Sequence, residues 1–197
     1  MKWGTRVTAL AAATVVGGLG FAGAAEAIGP PVYTKYDVNG TTHVAKPNAD
    51  VTLGPGISEL YTNIGPYSFF GTITLPPVTI TRAVPGVGTV SGKVTLGPGD
   101  VTGQAFGGFT ATAKWPVKVS DVTVNGAPYD VGPACGTAEP VTTELTSTDW
   151  QLDKGGHLTS TYTIGAFANC GSATALVNSA VPGPGNTLAL DFTWPAA

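Results

Sequence analysis

Phe109-Thr110-Ala111-Thr112-Ala113-Lys114-Trp115-Pro116-Val117-Lys118-Val119 is the stretch that decides the fold. Phe109, Ala111, Ala113, Trp115, Val117 and Val119 share one parity, and Thr110, Thr112, Lys114 and Lys118 share the other. Successive side chains leave opposite faces of an extended chain, so an apolar parity against a hydroxyl-and-lysine parity marks a strand buried on one side. The same rule recurs twice. Leu158, Ser160, Tyr162 and Ile164 alternate with His157, Thr159, Thr161 and Thr163, and Leu188, Leu190, Phe192 and Trp194 alternate with Thr187, Asp191 and Thr193. Parity places Phe109, Trp115, Val117, Val122, Tyr162, Ile164, Leu190, Phe192 and Trp194 in the core.

Between these runs, 28 Gly and 16 Pro punctuate the chain, and after the N-terminal leader no ten-residue window shows helical apolar spacing. Asn39-Gly40 lies between Val32 to Val38 and Thr41 to Ala45, and Asn125-Gly126 lies between Val122 to Val124 and Ala127 to Val131. Asn-Gly supplies the two positive-φ positions of a type I′ turn, so both read as tight hairpins. Pro55-Gly56, Pro85-Gly86, Pro98-Gly99, Pro182-Gly183 and Pro184-Gly185 suit type II turns. Val51-Thr-Leu-Gly-Pro-Gly56 recurs as Val94-Thr-Leu-Gly-Pro-Gly99, which reads as two strand ends sharing one turn solution. The expected fold is all-β: an antiparallel β-sandwich of about ten short strands, with a β-barrel as the alternative.

At the N-terminus, Lys2 and Arg6 precede an apolar stretch from Val7 to about Phe21, and small residues end in Ala25-Glu26-Ala27. That is the grammar of a secretory signal peptide over residues 1–27, cleaved after Ala27, leaving residues 28–197 as a single β-sandwich domain. The net charge is −3 and the cations are scattered singly, which argues against a nucleic-acid partner. No later apolar segment of about 20 residues forms a transmembrane helix. The expected location is secreted, either free or non-covalently associated with the cell wall.

Export places Cys135 and Cys170 where disulfides persist, and with only two cysteines the pairing is unambiguous. Closing a loop of about 36 residues stabilises a fold by about 3 to 4 kcal/mol on the chain-entropy model. Catalytic motifs are lacking: there is no G-x-S-x-G elbow, no H-E-x-x-H and no phosphate-cradling loop. His43 and His157 stand on separate Thr-rich strands and read as solvated surface residues. The sequence therefore calls for no enzyme, no cofactor and no metal site. Asp149-Trp150-Gln151-Leu152-Asp153 sets a large aromatic between carboxylates. On a strand, Trp150 and Leu152 face the core; exposed, Trp150 is the candidate binding residue, a stacking platform for a sugar or an anchor for a protein. On an extended strand Asp149 and Asp153 would lie about 13 Å apart, too far to share an ion unless the segment turns.

The run from Pro116 to Thr137, with Val124-Asn125-Gly126-Ala127-Pro128 followed by Asp130-Val131-Gly132-Pro133 and Cys135, resembles a segment of small exported β-domain proteins of actinobacteria. The Ala-rich leader fits that source. The resemblance covers a hairpin rather than a site. It implies an exported, disulfide-bonded β domain and brings no activity with it. The functional expectation is a non-enzymatic exported β domain acting by surface contact with cell-wall polymer or a protein partner. A subunit of an outer-envelope β-barrel pore is the alternative, and a carboxylate-dependent hydrolase is a second one.

Overall fold

The computed structural model describes residues 29–195; the expected signal peptide and its cleavage point after Ala27 lie outside the described residues. The strands run in chain order as β1 (Val32–Val44), β2 (Ala49–Asn63), β3 (Ser68–Thr74), β4 (Val78–Val84), β5 (Gly88–Leu96), β6 (Gly99–Gln104) and β7 (Phe109–Trp115). They continue as β8 (Val117–Val124), β9 (Ala127–Pro128), β10 (Gly136–Thr137), β11 (Val141–Ser147), β12 (Gly155–Ile164), β13 (Phe167–Ala168) and β14 (Gly183–Thr193). One short helix, α1 (Thr174–Ala180), precedes β14.

The fold is all-β and antiparallel, as the alternation indicates. Its main sheet closes on itself in the order β1, β14, β12, β11, β7, β6, β3, β2, so the barrel alternative describes that sheet. A second, open sheet in the order β13, β10, β8, β5, β4 packs on it, with β9 beside β8. Val78, Ile80, Leu96 and Val117 of this sheet meet the barrel core.

The stagger of the barrel can be read from register. Tyr33 pairs with Tyr61, Tyr61 with Phe70, Phe70 with Thr102, Thr102 with Thr112 and Thr112 with Glu144. The Thr143–Tyr162 and Thr146–Thr159 pairs set Glu144 opposite Thr161, which pairs with Thr187, which pairs with His43. One circuit thus returns to β1 at His43, ten residues beyond Tyr33. Eight strands with that stagger, at about 3.3 Å per residue and about 4.8 Å between strands, tilt by about 40° to the axis, leaving an interior that side chains can fill. Tyr36, Leu60, Ile73, Leu145, Leu158 and Leu190 fill it, each no more than 2% exposed. Trp115 and Thr143 satisfy one another inside: the indole Nε1 donates to Thr143 Oγ1 at 3.0 Å, and that hydroxyl reaches the Ala113 carbonyl at 3.4 Å.

Three turn assignments need correction, one of them Pro184-Gly185, which lies inside β14. Asn39-Gly40 forms no hairpin but lies inside β1, where Gly40 pairs with both Leu53 and Leu190 at a register shift. A Cβ on Gly40 would strike the Ala189 carbonyl oxygen, so glycine is there for close strand approach rather than for a turn. Similarly, Gly54-Pro55-Gly56 lies within β2 opposite that shift, so the two copies of the hexapeptide do different work. Asn125-Gly126, by contrast, has both positive φ angles, 50° and 80°, and turns β8 into β9.

Cys135 and Cys170 are disulfide-bonded and buried, and with Val131, Phe167 and Ala173 they form a second small core. Helix α1, which the spacing did not announce, is docked by Asn178: its Oδ1 accepts from the Phe167 N–H at 2.7 Å and its Nδ2 donates to the Phe167 carbonyl at 2.9 Å.

Trp194 corrects the expected core list. It is 51% exposed, beyond the end of β14, with its ring edge-on to Tyr36 at 5.8 Å. Its parity points inward, but Phe192 is the last β14 side chain inside the barrel, and Tyr36 and Trp150 already close that end.

Candidate functional site

Trp150 sits in a turn rather than a strand. Gln151 and Gly155 exchange backbone hydrogen bonds, and the Asp149 carboxylate accepts from the His157 N–H at 2.9 Å and from Ser147 Oγ at 2.8 Å. These bonds hold the Asp149 carboxyl below the ordinary aspartate range, the His157 N–H contributing most. The turn lowers the half-buried Trp150 indole onto Phe109 at 4.2 Å, Tyr36 at 5.2 Å and Phe192 at 5.5 Å, where it caps the barrel core. Tyr36 fastens the turn by donating to the Leu152 carbonyl at 2.6 Å. Trp150 therefore packs against three rings of the barrel core while keeping part of its surface in solvent.

More exposed aromatic faces lie elsewhere, on the outward circuit that defines the barrel's stagger. Tyr33, Tyr61 and Phe70 stand in direct register on β1, β2 and β3, at 48%, 40% and 47% exposure. Tyr61 stacks on Phe70 with centroids 5.4 Å apart, and Tyr33 leans on Tyr61 at 5.3 Å. Tyr33 is fixed by donating to Glu59 Oε1 at 2.7 Å, a bond that also raises its hydroxyl above the ordinary tyrosine value. Beyond them, Ile64, Tyr67 and Phe106 are exposed on two adjoining turns, with Tyr67 and Phe106 at 5.6 Å and the Ala105 N–H bonded to the Tyr67 carbonyl. Most of the large exposed apolar side chains of the described residues thus gather on one flank.

Past Phe70 the circuit becomes polar. Thr102 and Thr112 lead to Glu144, which accepts both contacts of Thr112 Oγ1, at 2.9 and 3.1 Å. Around Glu144 lies a depression of about 320 Å³ with Thr102, Gln104, Thr110 and Thr112 on its walls. It shares Glu144 with a broader trough of about 830 Å³, where Thr41, Thr146, Thr159, Thr161 and Thr187 present hydroxyls and His43 and Asp50 close the far side. Neither depression has Lys or Arg on its walls.

His43 and His157 remain separate. Each Nδ1 meets a cross-strand aspartate at 2.7 Å, Asp50 and Asp191 respectively. Among the described residues no three His, Cys, Asp or Glu side chains gather as a metal site.

Chemically, the circuit offers flat apolar rings followed by a run of hydroxyls, an amide and a carboxylate. That combination suits a ligand with apolar ring faces and many hydroxyl groups. The outward parity of Tyr33, Tyr61 and Phe70 was readable beside inward Thr34, Leu60 and Phe69. Their convergence was not, because it depends on pairing between strands. No family model, curated protein or solved structure matches the chain.

Proposed function

We propose that this protein is an exported, non-enzymatic binding domain that attaches to a neutral or amino polysaccharide of the cell wall through the outward circuit of its barrel. The observation that carries this reading is the in-register passage from Tyr33, Tyr61 and Phe70 to Thr102, Thr112 and Glu144. A chain of sugar rings laid across the strands stacks on the aromatic part and hydrogen-bonds along the hydroxyl part. Glu144 and Asp50, without a lysine or arginine beside them in the troughs, favour neutral or cationic sugars over uronates and phosphate-bearing polymers.

The two alternatives have less support. A lipid-spanning barrel turns an apolar band outward and keeps a polar lumen, whereas this interior is packed with Leu, Ile and Tyr and the outer wall carries threonines and charges. A glycoside hydrolase that works with two carboxylates needs them about 5 to 10 Å apart, a spacing that the carboxylates of the two troughs do not offer. Glu144 and Asp50 are four strands apart, about 19 Å along the wall, and Glu144 is already hydrogen-bonded by Thr112.

Sedimentation with insoluble wall polysaccharide tests the reading. The protein should co-sediment with neutral or amino polymer and be released by soluble oligosaccharide, and Tyr61→Ala and Phe70→Ala should each lower retention at least tenfold. Equal retention of these variants, or retention on polyuronate alone, would overturn it.

A further inference from the structure

The end of the barrel opposite Trp150 is closed less completely. There the ends of β1, β3, β7 and β12 meet the beginnings of β2, β11 and β14 under β4 and β5 of the second sheet, and an internal space of about 90 Å³ remains. Leu53, Leu188 and Trp115 form its barrel side, and Ile80, Val94 and Leu96 form its sheet side. Its wall includes no Asp, Glu, Lys, Arg or His. The wall hydroxyls are already engaged: Thr42 Oγ1 with Tyr162 OH at 2.7 Å and with the Thr187 carbonyl at 2.8 Å, and Thr143 Oγ1 with Trp115 and Ala113.

We propose that this space is a binding site for the end of a linear aliphatic chain, such as an acyl tail. A buried water needs two to four polar partners, and this wall has almost none to spare, so water is a poor occupant. An engineered apolar cavity of about 150 Å³ accommodates benzene. At 90 Å³ the present space is smaller, which favours the last carbons of an unbranched chain over a ring. Ile80, Val94 and Leu96 all retain partial solvent exposure, so the sheet side supplies a way in, and a charged head group would stay outside in water. The site is separate from the outward aromatic circuit and does not depend on the polysaccharide reading.

The test follows side-chain methyl NMR signals of the folded, disulfide-bonded protein during titration with straight-chain carboxylates from hexanoate to dodecanoate, kept below micelle-forming concentrations. Saturable shifts are expected at Leu53, Val94 and Leu188, with affinity rising about fourfold per methylene until the space is full and then levelling off. Val94→Phe should fill the space and abolish those shifts; Ile80→Phe fills it from the neighbouring strand and serves if the first variant does not fold. A parallel arm uses neutral phospholipid vesicles. Shifts there at the same methyls, without a response to free carboxylate, would support the site and identify its chain as membrane-held. No response at these methyls in either arm, or shifts that persist undiminished in a folded filled variant, would overturn the proposal.

Discussion

Tyr61 and Phe70 stack across β2 and β3 on the outside of the barrel, with their ring planes 14° apart and their centroids 5.4 Å apart. Exposed rings in that arrangement contribute little to folding. A double-mutant cycle on the pair should give a coupling of about 0.5 to 1 kcal/mol in denaturant unfolding. Loss of polymer retention in Tyr61→Ala should greatly exceed its loss of stability. A variant that loses both in proportion would assign the pair to sheet stability alone.

Trp194, inward by sequence parity, is half-exposed, whereas Trp150, whose parity on a strand also faces the core, packs on the rings that close the barrel end. Trp150→Ala removes contacts to Tyr36, Phe109 and Phe192, and its unfolding free energy should fall by about 3 kcal/mol or more. Trp194→Ala, at a half-exposed position, should cost about 1 kcal/mol or less. Equal costs would mean that the aromatic closure of the barrel end is shared differently between the two.

The alternation in β7, β12 and β14 was legible because each strand keeps one face in the core for most of its length, and that is a local property of sequence. Closure was not legible. It depends on β1 pairing with both β2 and β14, and nothing in Val32 to Val44 alone distinguishes a strand flanked on both sides from an edge strand. Asn39-Gly40 misleads for the same reason: a glycine needed by the approach of β14 from the far end of the chain looks like one needed by a turn. The aromatic flank is still more remote from sequence, since Tyr33, Tyr61 and Phe70 become one surface only through register.

Gly40 allows the barrel interpretation to be tested directly. An added Cβ meets the Ala189 carbonyl and the Leu190 side chain, so Gly40→Ala should cost at least about 3 kcal/mol or leave the protein unfolded. Gly65→Ala is the control, because a Cβ there meets nothing within 4 Å, and its stability should stay within about 0.5 kcal/mol. Matching melting curves for wild type and Gly40→Ala would exclude the observed approach of β14 to β1.

Replacing both Cys135 and Cys170 by Ala should lower stability by about 3 to 4 kcal/mol, through the freed loop. The effect should be uneven. Hydrogen exchange should accelerate first around Val131, Phe167 and α1, which pack on the disulfide, while amides of β7 and β14 keep their protection until global unfolding. Uniform acceleration across both groups would indicate that the small core and the barrel unfold as one unit.

Asp149 gives the fold an acid-sensitive fastening. Its folded-state carboxyl lies below the ordinary value of 3.8, because the ionised form accepts the His157 N–H and the Ser147 hydroxyl. The ionised group therefore favours the folded state. That contribution is fully present above the unfolded-state value and disappears as pH falls through the lower folded-state value. Melting temperatures measured from pH 6 down to pH 2 should fall more steeply below about pH 4 in the wild type than in Asp149→Asn, whose side chain retains an acceptor but no titrating proton. Because the Asp149 turn places Trp150 over the barrel end, near-ultraviolet circular dichroism from the Trp150 cluster should weaken in the same acid range. Superimposable profiles for the two proteins would show that protonating Asp149 does not loosen the turn.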